Sequence, residues 1–135
     1  MDTVIASYRV MVRGQVPRKN RRHIIALRPH PRLVNSPEFN DFTERLDAAW
    51  RTAGHPVIRS GRWRLLVESR WSRVRHLDVD VADGDVDAPL SAVLDAMQES
   101  KLLDNDARVV ELGAVKDGGY GDEQCVVLTL EVCDA

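Results

Sequence analysis

The sequence predicts an α+β domain, a mostly antiparallel sheet with two helices packed on one face. Two observations carry the prediction. Five β-branched or alternating apolar segments alternate with two segments whose apolar residues recur every three or four positions, in the order β, α, β, β, α, β, β. The 135 residues are 44% hydrophobic and 30% charged, which is enough to build one soluble core. No repeat, linker or low-complexity stretch divides the chain, so residues 1–135 read as a single domain.

The elements follow in order. Val4 to Val12 is β-branched and stops before Gly14, a first strand. A basic loop from Arg13 to His23 follows, broken by Gly14, Pro17 and Asn20. Ile24 to Leu27 is compatible with a short strand, and Arg28 to Arg32, with Pro29 and Pro31, reads as irregular. Ser36 then suits a helix N-cap, Pro37 the first helical position and Glu38 the positive end of the dipole. Phe39, Phe42, Leu46, Ala49 and Trp50 form that helix's apolar stripe, and Gly54 ends it.

Trp63 to Trp71 and His76 to Val81 read as two strands, the second with an acidic face from Asp78 and Asp80. The second helix starts at Asp87 or Ala88 and runs to about Ser100, capped by Asp87, with Leu90, Val93, Leu94 and Met97 as its buried face. Arg108 to Val115 and Gln124 to Val132 are the last two strands, expected as a hairpin around the glycine-rich 116–121. Cys125 and Cys133 fall on one strand, about 26 Å apart, too far to pair. Two free thiols suit a reducing cytoplasm. There is no secretory leader and no apolar run of membrane-spanning length, so a cytoplasmic protein without a membrane partner is expected.

The net charge of −2 hides a split. Residues 1–76 hold sixteen Lys and Arg against six Asp and Glu; residues 77–135 hold three against fifteen. Such asymmetry fits nucleic-acid contact, and it equally fits two halves that neutralise each other in the fold. Six cations between Arg13 and Arg28 suit phosphate contacts or a solvated face.

In the acidic half, Asp85 and Asp87 are two residues apart on an extended segment, so their carboxylates point the same way. With Asp106 they form an oxygen set of the kind a hard divalent cation binds. A 13-residue helix about 20 Å long separates the two, so Asp106's return is tight, unless the helix ends early or a second subunit completes the site. Capping and turn aspartates are the alternative. No phosphate loop, calcium loop, zinc spacing or nucleophile elbow is present, and no organic cofactor is expected.

Asp85-Val86-Asp87-Ala88-Pro89-Leu90, followed by Leu103-Asp104-Asn105-Asp106-Ala107-Arg108-Val109-Val110, resembles the core motif of the RusA family of Holliday junction resolvases, often carried by phages and prophages. Pro17-Arg18-Lys19-Asn20-Arg21-Arg22 is similar to the family's Pro-x-x-x-Asn-Arg opening, and Ser36-Pro37-Glu38-Phe39 to the start of its first helix. The resemblance implies a RusA-like fold and a homodimer that binds four-way DNA junctions in recombination and repair. It implies hydrolysis of phosphodiesters with Mg²⁺ or Mn²⁺. Asp85, Asp87 and Asp106 would be catalytic metal ligands, with Asp104 a further ligand. Arg18, Lys19, Asn20, Arg21, Arg22, Arg73 and Arg75 are the expected DNA contacts. Two positions depart from the pattern. Ala88 replaces the usual Asn, and Ser91 stands where the catalytic lysine is expected. A cation lost there costs on the order of a hundredfold to a thousandfold in rate. The resemblance is therefore compatible with a junction-binding relative that cuts poorly.

Overall fold

The computed structural model describes residues 4–14, 16–17, 22–26, 31–35, 37–70, 73–76, 79–82, 89–117 and 124–133. In chain order the elements are β1 (Val4–Arg13), β2 (Arg22–Ala26), β3 (Pro31–Asn35), α1 (Pro37–Thr52), β4 (Arg62–Arg70), β5 (Arg73–His76), β6 (Val79–Ala82), α2 (Leu90–Glu99), a 3₁₀ turn (Asp106–Arg108), β7 (Val109–Asp117) and β8 (Cys125–Cys133). The central sheet has the order β1-β8-β4-β7, and β2-β3 and β5-β6 are separate antiparallel hairpins. β8 is antiparallel to β1 and to β4, whereas β4 and β7 are parallel. The α+β class and the mostly antiparallel sheet are therefore present. The parallel pair needs a crossover connection, and α2 lies on it.

One face of the sheet is the core. Val10 and Val12 of β1, Trp63, Leu65 and Val67 of β4, and Val126, Leu128, Leu130 and Val132 of β8 cluster with Phe39, Phe42, Leu46 and Trp50 of α1 and Val93, Ala96 and Met97 of α2. Both helices thus cover the same face. Burying each of these large side chains contributes roughly 1.5–3 kcal/mol. The two indole N–H groups inside this layer are satisfied locally. Trp50 donates to Pro56 O at 2.8 Å and Trp63 to Ser60 O at 3.0 Å.

Four expectations change. The last two strands are not a hairpin with each other. β8 is the most apolar strand, with seven of its nine residues buried, and lies in the interior of the sheet between β1 and β4. β7 leaves Val110, Leu112 and Val115 exposed and occupies the edge. The single strand expected over His76–Val81 is a hairpin, β5-β6, and Pro31 and Arg32, expected to be irregular, open β3. α2 starts at Leu90 rather than at Asp87 or Ala88, with Pro89 at its N-cap and no side-chain cap. Its fully buried face is Ala92, Val93, Ala96 and Met97, while Leu90 and Leu94 are only partly buried. The expected caps Ser36 and Asp87 lie outside the described residues. Cys125 and Cys133 are free and buried on β8, as their spacing requires. Among the described residues no helix is long and apolar enough to cross a membrane.

Candidate functional site

The acidic turn is built by the end of α2. Ser100 and Leu102 donate from their backbone N–H to Ala96 O and Met97 O at 3.0 Å, and Lys101 donates to Gln98 O at 3.0 Å. Lys101 makes this reversal with φ of 62°, the left-handed conformation that glycine adopts most cheaply. Leu102 and Leu103 then anchor the chain in the core, and Leu103 bridges to Ile58. Anchored there, the next residues must face solvent: Asp104, Asn105 and Asp106 are exposed.

Each residue of the turn has a distinct task. Asn105 Oδ1 accepts from Ala107 N–H at 2.9 Å and caps the 3₁₀ turn. Gln98 Oε1 accepts from Asp106 N–H at 3.0 Å, which ties the turn back to α2. Arg108 grips Asp104 through both carboxylate oxygens, Nε to Oδ1 at 2.7 Å and Nη2 to Oδ2 at 3.1 Å, and its Nη1 reaches Gly61 O at 3.4 Å. The Arg108 hydrogen bonds hold the Asp104 carboxyl below its ordinary pKa, although desolvation opposes them, and Asp104 in turn raises Arg108. By contrast, the Asp106 carboxylate bonds to none of the described residues.

Of the four aspartates expected to bind metal, Asp106 has a carboxylate that bonds to no described residue, and Asp104 pairs with Arg108. Asp85 and Asp87 lie outside the described residues. α2 is about 15 Å long, and Pro89 and Asp106 mark its opposite ends. The described residues hold no group of three His, Cys, Asp or Glu that could bind an ion. Mg²⁺ takes one or two protein carboxylates beside water and phosphate oxygens, and Asp106 is an exposed carboxylate with no bond to a described residue. Ser91 is exposed in the first turn of α2.

Among the expected DNA contacts, Arg18, Lys19, Asn20 and Arg21 lie outside the described residues. Arg22 opens β2, and Arg73 and Arg75 lie on β5. The sheet topology relates these segments. β1, β4 and β7 all end on the side where β8 begins, because Arg13 and Arg70 both pair with Cys125, and Arg70 with Asp117. The chain therefore leaves β1 toward Arg18–Arg22 and leaves β4 toward Arg73–Arg75 from the same end of the sheet. Asp104–Asp106 sit at the other end, before β7 starts. β7 has nine residues, so roughly 26–30 Å of strand separates the two ends.

Sequence reading overlooked the charged residues that share this end of the sheet, where Asp117 is in register with Arg70. Arg13, Arg70 and Lys116 stand on the last two residue rows of β1, β4 and β7. Arg45 of α1 donates through Nη1 to Arg13 O and pairs with Asp41 at 2.8 Å. Only the strand order reveals that these residues share an end. It also overlooked Arg108 as Asp104's partner, although the four-residue spacing signals such a pair. No protein-family model matches the chain, and no curated protein matches it.

Proposed function

We propose that this chain is a RusA-like, Mg²⁺- or Mn²⁺-dependent endonuclease that acts as a homodimer on Holliday junctions or other branched DNA, in a reducing cytoplasm. The observation that carries the reading is Asp106. Its carboxylate is exposed and unbonded by the described residues, at the motif spacing from Asp85 and Asp87. The remaining support is the Asp85-x-Asp87 pair ahead of an amphipathic helix, the basic segments that leave one sheet end, and the RusA-like sequence pattern. A divalent ion bound by such carboxylates lowers the pKa of a water and neutralises charge developing on the phosphate. The protein's part is to hold carboxylate oxygens at a fixed turn, which the Gln98 and Asn105 bonds do for Asp106.

The length of α2 bears on assembly. Asp106 lies at the far end of that helix from Pro89, which favours a site that Asp106 of one copy completes with Asp85 and Asp87 of a second. One specific observation favours a second reading. Ser91 replaces the lysine expected one turn into α2, so the dimer would bind junctions and cut them slowly.

The test is incubation of a synthetic four-way junction with and without Mg²⁺, against linear duplex, for wild type, Asp85→Asn and Ser91→Lys. Metal-dependent junction cutting that Asp85→Asn abolishes while binding persists is expected. Cutting at the wild-type rate in Asp85→Asn removes the active-site assignment. Weak wild-type cutting that Ser91→Lys restores selects the second reading. Absence of any salt-sensitive junction binding removes both and leaves an α+β domain of another kind.

A further inference from the structure

We infer that β7 is the surface by which two copies of this chain meet. Its outer edge pairs antiparallel with β7 of a second copy about a two-fold axis at Gly113, which joins two four-stranded sheets into one of eight. The inference rests on the homodimer of the proposed function and names its interface. β7 is the last strand of the sheet and, among the described residues, forms a ladder with β4 alone. β6 approaches it without joining that ladder. Such an edge presents backbone N–H and C=O groups to any strand that can pair with them. Val110, Leu112 and Val115 are exposed on it, and Leu66 of β4 is exposed beside Gly113. No proline or lysine interrupts residues 109–115, and their one charge, Glu111, is paired with Arg64 at 2.9 Å. The irregularity of β7 is at its start, at Val110, and leaves Glu111 to Asp117 regular.

Two observations make the occupant a second copy. The first is that β7 complements itself. With the axis at Gly113, Leu112 lies opposite Ala114 on the core face, and Glu111 lies opposite Val115 on the other face, each pair twice. Val110 and Val109 fall opposite Lys116 and Asp117. No like charges are opposed, and a large side chain meets a small one at the centre. An axis at Ala114 would set Glu111 against Asp117, and one at Leu112 would set Ala114 against the irregular Val110. The second observation is where the pairing takes Asp106. Val109 of the second copy lies beside Asp117, and Asp106 precedes Val109 by three residues. Ala82, the end of β6, pairs with Arg73, three residues after Arg70, which is in register with Asp117. Ala82 and Asp106 of the second copy are therefore each within about 16 Å of the same sheet row. Within one chain the length of β7 separates these two ends. Asp85 and Asp87 follow Ala82 by three and five residues, so this interface fits the site shared between copies.

The test is cysteine cross-linking beside sedimentation, both without DNA. Opposed Cα atoms of antiparallel strands are about 4.5–5.5 Å apart, within disulfide reach. Gly113→Cys should therefore give a covalent dimer on mild oxidation. Val115→Cys should not, because its own copy lies four residues off register, about 13 Å away. Wild type, whose Cys125 and Cys133 are buried, should stay uncross-linked. By sedimentation, Val115→Glu, which faces Glu111, should weaken the dimer at least several-fold, and Val115→Lys should preserve it. Val115 also neighbours Glu68 in its own sheet, so the readout is association rather than stability. A Cβ on Gly113 comes within 3.1 Å of Leu66 Cδ1; if Gly113→Cys fails to fold, Leu112→Cys/Ala114→Cys tests the same register through two cross-links. A dimeric wild type whose cysteine variants do not cross-link, or whose Val115→Glu and Val115→Lys variants associate alike, overturns this interface and leaves the proposed function standing. A wild type that stays monomeric overturns the interface and the homodimer together. Cross-linking at Gly113 in a protein that neither binds nor cuts junctions supports the interface and overturns the proposed function.

Discussion

The two ends of the central sheet are finished in opposite ways. Before β7 the chain is wired tightly. Gln98 ties down Asp106 N–H, Asn105 caps the turn, and Arg108 spends its guanidinium on Asp104 and Gly61 O. Beyond β1 and β4 the chain instead runs out into basic segments, and the last sheet rows carry Arg13, Arg70 and Lys116. At the first end most polar side chains serve the fold, and one carboxylate, Asp106, bonds to no described residue. At the second, the strand ends line up cations from three elements. Charge type at each end is thus set by sequence, and at the first end the Arg108 bond is what separates Asp104 from Asp106.

The strongest way to break this comparison is to exchange the two aspartates of the turn. If Asp106 is the ligand and Asp104 the clamp, Asp106→Asn should lower metal-dependent junction cutting by at least about a hundredfold, since a divalent ion supplies several kcal/mol of charge stabilisation. Its melting temperature should hardly change, because no described residue loses a side-chain bond. Asp104→Asn should do the reverse: a lower melting temperature as Arg108 loses its partner, and cutting within a few-fold of wild type. Equal loss of cutting in both variants would show that Asp104 leaves Arg108 to bind metal.

A smaller effect probes how much strain the wired end contains. Lys101 takes a positive φ to close α2, a conformation that costs an L-residue about 1 kcal/mol relative to glycine. Lys101→Gly should therefore raise stability by about 1 kcal/mol, or about 4 °C in melting temperature for a domain of this size. Thermal and urea unfolding give the check. Unchanged or lower stability would mean that the lysine side chain contributes more to the turn than its backbone costs.

Local physics explains what was legible in the sequence. α1 was readable because Pro37 fixes its start and Phe39, Phe42, Leu46 and Trp50 recur on one face, all of them now buried. β4 was readable as an apolar stretch in which Trp63, Leu65 and Val67 recur at every second position, all three of them buried. Strand partners were not readable. Proximity in sequence favoured β7 beside β8, yet the strongly apolar β8 sits in the sheet interior between β1 and β4. The same limit applies to the candidate site. Asp106 and Asp104 are alike as residue types, and only Arg108 four residues on distinguishes the clamp from the open carboxylate. The shared sheet end of Arg13, Arg70 and Lys116 has no local signature, because only the register of three strands brings these residues to it.

The smallest expected effect concerns acid. Arg108 holds Asp104's carboxyl below its ordinary value of 3.8, so the folded form retains the charge to a lower pH than the unfolded chain does. The pair's stabilisation is then fully present above the unfolded pKa and disappears as pH falls through the lower folded value. Melting temperatures of wild type and Asp104→Asn should accordingly differ by a constant amount at neutral pH and converge below about pH 4. The gap should also narrow with added salt, since the pair is exposed to solvent. A gap that stays the same down to pH 2 would mean that Asp104 supports the turn through its shape and neutral hydrogen bonds. The contrast between the two ends of the sheet would then rest on Asp106 and on the different charges that the strand ends carry.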